Sequence, residues 1–354
     1  FHGSGGGGNI ATDILRGLKT GVQTDVTMVE STRIAEYSAE NALLDLHESF
    51  ATWSEETRAD LEWLSNISYF SGSEEFLSVP AIMHARAIAY RKDLFEKASI
   101  DPSNPPETLD ELGDIAKQLT GDGVYGLGMY FGNHAATTEV YFAPYMWDRG
   151  TDLVDENGKA IFASEDGVAV AEWLSSLVNE AKVTPQSAVS GDYVDSITGG
   201  YFSGQFAMAE GFGNYMLADL AKTEYADKTG FFLPPLEQRL LNYWGLGVVS
   251  NTPYPAESAR LIEIMMQPEH LDHFDYDLPV RESAYDNPIY QSEAYEVMRK
   301  AAATGNTGSK TVHYQLLCDT VAAAMQEILL SGGDAAEILK RYQDEFNARV
   351  AEEG

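Results

Sequence analysis

A single cysteine, Cys318, stands in a chain of 354 residues. An internal disulfide framework and a cysteine-built metal site are therefore excluded. Cys318 lies among Leu316, Leu317 and Val321 in a helix-like run, which reads as a small buried hydrophobe. A nucleophilic cysteine needs a placed histidine partner, and no local pattern supplies one. No apolar run approaches the roughly 18–20 residues of a membrane span. No basic segment followed by an apolar core opens the chain, so an exported protein would be in processed form here. Basic residues are scarce: 23 Lys plus Arg face 55 Asp plus Glu, a net charge of −32. Such a chain repels a phosphate backbone, so nucleic acid is not an expected partner. The acid is spread along the chain and forms no tail, which argues against disorder. A diffuse acidic surface favours solubility and is best tolerated where salt screens it, the Debye length being about 3 Å at 1 M. A saline habitat is the expectation. HExxH, GxSxG and Walker patterns are absent. Carboxylate pairs such as Asp152 with Asp155, or Glu74 with Glu75, are what so acidic a chain produces by chance. A glycosidase pair is defined by a separation in space, which spacing along the chain does not give. The segment Asp152–Gly158 lacks EF-hand spacing, and no metal or other cofactor is expected.

What is present is ordinary for a folded protein, with 44% hydrophobic and 22% charged residues, and the length suggests two domains. Four consecutive glycines near the start read as a connector, followed by a short amphipathic helix over 10–19. Strands are predicted at 25–30, 76–82, 87–91, 124–130, 206–210, 230–233 and 244–250. Ser31 reads as an N-cap, and Thr108-Leu-Asp-Glu111 as a capping box opening a helix that Gly121-Asp-Gly123 stops. Val170, Trp173, Leu174, Leu177, Val178 and Ala181 recur at helical spacing. Pro255 falls at the start of another helix, and two helices near 313–330 and 334–350 close the chain. Strands alternating with helices give an α/β class with mainly parallel sheets. Proline-marked breaks at 101–106 and 234–235 divide the chain into three pieces, as two lobes joined by several crossovers would require.

The segment YRKDLFEKASIDPSNPPETLDELGDIAKQLT, from Tyr90 to Thr120, resembles the "YNKDLFEKAGIDPPKTWDEL" segment of family 1 extracellular solute-binding proteins, which include maltodextrin- and glycerol-3-phosphate-binding types. Five further segments match in order: Leu15–Leu46, Tyr201–Leu220, Trp244–Glu269, Leu278–Pro288 and Glu327–Asn347. The departure is at the front, where members of the family begin with a strand, a long helix and a second strand. Only Phe1-His2-Gly3 matches the end of that first strand, and the glycine run takes the place of the helix.

The resemblance implies a two-lobed periplasmic-binding-protein fold of type II. Residues 1–103 plus about 237–300 would form the first lobe, and 104–236 plus about 301–354 the second, with a ligand cleft between them. It implies no catalysis. A monomer outside the cytoplasm would reversibly bind a mono- or oligosaccharide by hinge closure and deliver it to the membrane permease of an ABC importer. Sugars need aromatic faces for the ring and planar polar groups for its hydroxyls. Loop by loop, the resemblance points to Glu30, Ser31, Thr32 and Arg33; His84 and Arg86; Glu139 with a stacking Tyr141; Phe212, Asn214 and Tyr215; Trp244 with Gly245; and Arg281 and His313. The bland readings stand beside these: Ser31 only a cap, Arg33 on the surface, His84 a structural histidine, Trp147 plain core. Arg33, Arg86 and His84 together would also suit glycerol phosphate or an acidic sugar. A carbohydrate-active lyase or hydrolase, and a binding protein that feeds a receptor, are the readings from other classes.

Overall fold

A computed structural model describes residues 14–18, 20–21, 24–61, 75–271 and 278–353. The glycine run, the departure at the front of the chain and Glu74 lie outside these ranges. Ten strands occur among the described residues: β1 (Val26–Glu30), β2 (Val79–His84), β3 (Arg86–Arg91), β4 (Tyr125–Gly128), β5 (Phe206–Gly213), β6 (Thr229–Phe232), β7 (Arg239–Leu240), β8 (Asn242–Val248), β9 (Leu278–Pro279) and β10 (Gly305–Asn306).

The chain divides into two compact units. The first holds residues 1–84, 241–292 and 305–314, the second 85–240, 293–304 and 315–354. The division therefore falls at His84–Ala85, not at the proline-rich 101–106 segment. That segment is internal to the second unit. The cause is strand pairing: β3 joins β5 and β6, which ties Arg86–Arg91 to the second unit before the prolines are reached. The break expected near 234–235 falls a few residues later, at Leu240–Leu241. The two short excursions at 293–304 and 305–314 have no counterpart in the sequence reading.

In the first unit the sheet order is β1-β8-β2-β9. In the second it is β4-β5-β3-β6. The β4–β5 pairing is parallel, whereas β1–β8, β2–β8, β2–β9, β3–β5 and β3–β6 are antiparallel. The expectation of mainly parallel sheets is corrected for these pairings. Alternation of strand and helix along the chain shows that crossovers occur, but a strand arriving from a remote segment, such as β8 between β1 and β2, takes its direction from the fold.

Local chemistry explains where the helices start. Thr108 Oγ1 accepts from the Glu111 amide at 3.2 Å, capping the 109–119 helix. The reciprocal carboxylate bond goes one residue further out than a capping box prescribes, to the Glu107 amide at 2.8 Å. Ser164 Oγ caps the 165–179 helix through the Gly167 amide, and Pro255 opens the 255–265 helix. Ser31 does not act as a cap. Its hydroxyl accepts from the Tyr243 amide at 3.2 Å and so prolongs the β1–β8 contact beyond the last paired residues, Glu30 and Trp244. Val29, Tyr37, Ala42, Leu43, Leu77 and Val249 form the core behind β1. Every residue of β5 is buried. Its run Phe206-Ala-Met-Ala209 is the continuous apolar string of a strand covered on both faces, and Glu210 interrupts it. Cys318 is wholly buried in the 314–331 helix, as a small hydrophobe would be.

Candidate functional site

In the first unit, β pairing gathers several of the expected residues at one end of a sheet. Glu30 pairs with Trp244, Trp244 with Ile82, and His84 with Asn242. Glu30, Ser31, His84 and Trp244 thus come from two strand ends and one strand start, although more than 200 positions separate Ser31 from Tyr243. Thr32 and Arg33 follow in a buried helical turn, and Arg33 is tied to Glu36. Gly245 serves packing. A Cβ there would sit 2.8 Å from Ser78 Oγ and 2.9 Å from the Val79 carbonyl, so the close approach it permits is that of β2. Arg281 is also committed to the fold. Its Nε donates to Asp60 at 2.6 Å and Nη1 to the Met266 carbonyl at 3.0 Å, while Asp60 accepts from the Ser283 amide and hydroxyl. Burial pushes the Asp60 carboxyl up, but Ser283 and Arg281 outweigh it and hold it below its ordinary value. His313 stands half-buried after a turn in which Thr311 accepts its amide.

The second unit builds its cluster on a β-bulge. Ala87 pairs with Phe212 and Ala89 with Ala209, so Glu210 and Gly211 together oppose Ile88. Gly211 takes a left-handed φ of +80°, which a bulge of this kind demands of one residue. Two tyrosines serve the bulge carbonyls. Tyr141 donates to the Glu210 carbonyl at 3.0 Å and Tyr193 to the Gly211 carbonyl at 2.5 Å. Tyr145 donates to Glu210 Oε1 at 2.7 Å, while Oε2 has no partner and is buried. Burial raises the Glu210 carboxyl to about 7, against a smaller opposing effect of the Tyr145 bond. Burial also pushes all three phenols well above their ordinary value, so they are neutral donors at any working pH.

Arg86 Nε in turn donates to Tyr193 Oη at 3.3 Å. Burial works against the guanidinium charge, but the phenol oxygens of Tyr215 and Tyr193 and the Glu139 carboxylate outweigh it, and Arg86 stays charged. Glu139 comes from a π-helical stretch over Thr137–Phe142, a conformation that recurs at functional sites. Thr137 and Thr138 anchor that stretch through the Gly132 and Cys318 carbonyls, both at 2.7 Å.

Three of the expected contacts in this unit have scaffold positions instead. Tyr141 is fully buried with its hydroxyl engaged, so its ring is not offered for stacking. Phe212 is fully buried, edge-on to Tyr201, Phe202 and Phe231. Asn214 is buried and accepts from the Ala85 amide at 3.0 Å, holding the start of β3. Tyr215 is the half-buried aromatic of that trio. Trp147, read as core, is buried and donates to Asp152 at 2.9 Å. The turn at 152–158 is closed by Asp155, which accepts from the Asn157 and Lys159 amides. Sequence reasoning missed Tyr193, Tyr145 and Glu210. Glu210 did leave a signal: it is the one charged residue in an otherwise apolar strand.

Two α/β units that exchange the chain several times, each with polar and aromatic side chains gathered at its strand ends, define a two-lobed binding-protein fold. The chain belongs to the bacterial extracellular solute-binding protein family, whose model matches residues 1–270. A solute-binding protein from Thermotoga lettingae bound with α-D-tagatose has a TM-score of 0.81 at 20% identity, over 96% of this chain and 89% of that one. One from Agrobacterium radiobacter in complex with ribitol has a TM-score of 0.78 at 20% identity, over 97% and 89%. Among curated relatives, the Sinorhizobium fredii "probable amino-acid ABC transporter periplasmic-binding protein" is 27% identical over 184 residues, 51% of this chain and 41% of the relative. The chain spans less than half the length of the curated relatives it matches, from 26% to 41%. Among the described residues no helix is long and apolar enough to cross a membrane.

Proposed function

We propose that the protein is the extracytoplasmic solute-binding component of an ABC importer and reversibly binds a neutral mono- or oligosaccharide or a polyol. The observation that carries the reading is the placing of Arg86 and Tyr215 together beside the β5 bulge, where Arg86 pairs with Gly213 and the Tyr215 ring packs over that glycine, with Glu139 acting on Arg86 from the 137–142 stretch. A guanidinium and a carboxylate hydrogen-bond hydroxyls in their own planes, and a tyrosine ring packs on an apolar sugar face. In the first unit, Glu30, His84 and Trp244 gather at one end of its sheet. Solved relatives of this fold hold tagatose and ribitol. Membership of the family supports binding without chemistry and delivery to a membrane permease. A hinge motion on binding is the expected response, read as compaction in solution scattering.

The test is calorimetric titration of the parent protein with D-tagatose, ribitol, D-mannitol and maltose, repeated with Tyr215→Ala and Arg86→Ala. At least one of the four should bind, and each variant should weaken it about tenfold or more. A panel in which nothing binds sinks the reading. The charge on Arg86 favours one second reading, an anionic ligand such as glycerol phosphate or a uronic acid. Arg86→Ala separates the two, because charge-assisted bonds contribute about 1.5–3 kcal/mol and an anion loses most.

A further inference from the structure

Tyr193 was not among the residues expected at the site, yet it lies between the bulge and Arg86. It starts the 193–202 helix, which Asp192 caps through the Val194 and Asp195 amides. Its ring packs edge-on to Tyr130 at 5.7 Å, so the phenol enters from a fixed direction. Its hydroxyl donates to the Gly211 carbonyl at 2.5 Å and accepts from Arg86 Nε at 3.3 Å, and it also meets the Tyr215 hydroxyl. The first bond consumes the only phenolic proton, which leaves the oxygen an acceptor for the second. The carbonyl is available because the bulge removes it from the β3–β5 ladder.

We infer that Tyr193 is a positioning residue, which locks the plane of the Arg86 guanidinium against the β5 bulge and so sets the site's preference for ligands with two adjacent oxygens. A guanidinium has a planar, fork-shaped donor set. A bond at Nε stops rotation of that plane, and a fork held in one plane discriminates by the direction of the ligand's oxygens as well as by charge. Without the phenol oxygen, Arg86 keeps its charge and loses the bond at Nε that fixes its plane. The inference rests on the reading that Arg86 meets the ligand, and it also has a consequence that needs no ligand. The Arg86 Nε–H, buried and bonded, should exchange slowly with solvent.

The experiment compares Tyr193→Phe, Arg86→Lys, Arg86→Ala and the Tyr193→Phe/Arg86→Ala pair. The Arg86 Nε–H resonance is assigned by its loss in Arg86→Lys, and its hydrogen exchange is followed by NMR without ligand. Tyr193→Phe should speed that exchange at least tenfold; an unchanged rate overturns the inference whatever the ligand. Affinity for D-tagatose, ribitol, D-mannitol and maltose is then measured by calorimetry. Tyr193→Phe should weaken the best binder about tenfold. Arg86→Lys, which leaves the bulge and Tyr193 intact and keeps a charge without the fork, should weaken it as much. The paired variant should bind no worse than Arg86→Ala alone. Additive losses in the pair, or an Arg86→Lys that binds like the parent, overturn the inference while the site stands. If Arg86→Ala itself binds like the parent, the site reading has failed and the role of Tyr193 falls with it.

Discussion

The β5 bulge makes a demand on one residue that can be put in numbers. At Gly211 the backbone φ is +80°, and an added Cβ would lie 2.7 Å from Tyr141 Oη, 2.9 Å from Tyr193 Oη and 3.1 Å from Val140 Cγ1. Gly211→Ala therefore meets two costs. A left-handed backbone costs a residue with a Cβ about 1–2 kcal/mol. The two hydroxyls must also move away from buried carbonyls, and each lost bond costs about 1 kcal/mol or more when its acceptor has no substitute. Together these give about 3–5 kcal/mol. For a unit of about 200 residues this lowers the melting temperature by roughly 6–20 °C. Because Tyr193 also holds Arg86, ligand affinity should fall with stability. Differential scanning calorimetry and urea titration measure the loss. The internal control is Gly199→Ala, in the exposed part of the 193–202 helix, where an added Cβ meets nothing within 4 Å. There alanine should be neutral or should stabilise by about 0.5–1 kcal/mol. A Gly211→Ala protein within about 1 kcal/mol of the parent would refute the reasoning, since neither the backbone strain nor the displaced tyrosines could then be real.

Glu210 predicts a pH dependence of definite sign. Its carboxyl is raised from an ordinary 4.5 to about 7, so the folded state keeps a proton that the unfolded chain releases. Its contribution to stability is fully present below about pH 4.5 and is lost as pH rises to about 7, a change of about 3 kcal/mol. Glu210→Gln keeps an acceptor for Tyr145 and removes the titration, so it should gain stability relative to the parent across that interval in urea titrations; parallel curves would exclude the shift. The net charge of −32 predicts a melting temperature that rises as NaCl is taken from about 0.05 M towards 1 M, where the Debye length shrinks to about 3 Å. A temperature that stays flat or falls would remove the case for a salt-adapted surface.

Much of this protein was legible in its sequence wherever the governing interaction is local. Thr108 and Ser164 cap helices because a hydroxyl reaches an amide three residues on, and that geometry needs nothing from the rest of the chain. Most of the strand positions and the burial of Cys318 were readable from the residues around them. Ser31 shows where local reasoning ends. Its hydroxyl satisfies an amide 212 residues away instead of the helix beside it.

Tertiary structure alone decided the rest. It moved the first division of the chain from the prolines at 101–106 to His84–Ala85, because the pairing partners of β3 arrive more than 100 residues later. It turned Tyr141 and Phe212 from ligand candidates into supports, since Tyr141 lies wholly buried against β5 and Phe212 wholly buried within it. It also brought Tyr193 to Arg86 across 107 positions. Periodicity tells which side of an element is buried, and spacing tells which residues can share a turn. Neither tells which remote group will stand opposite. A bulge, and the carbonyls it sets free, exist only once two distant strands have met.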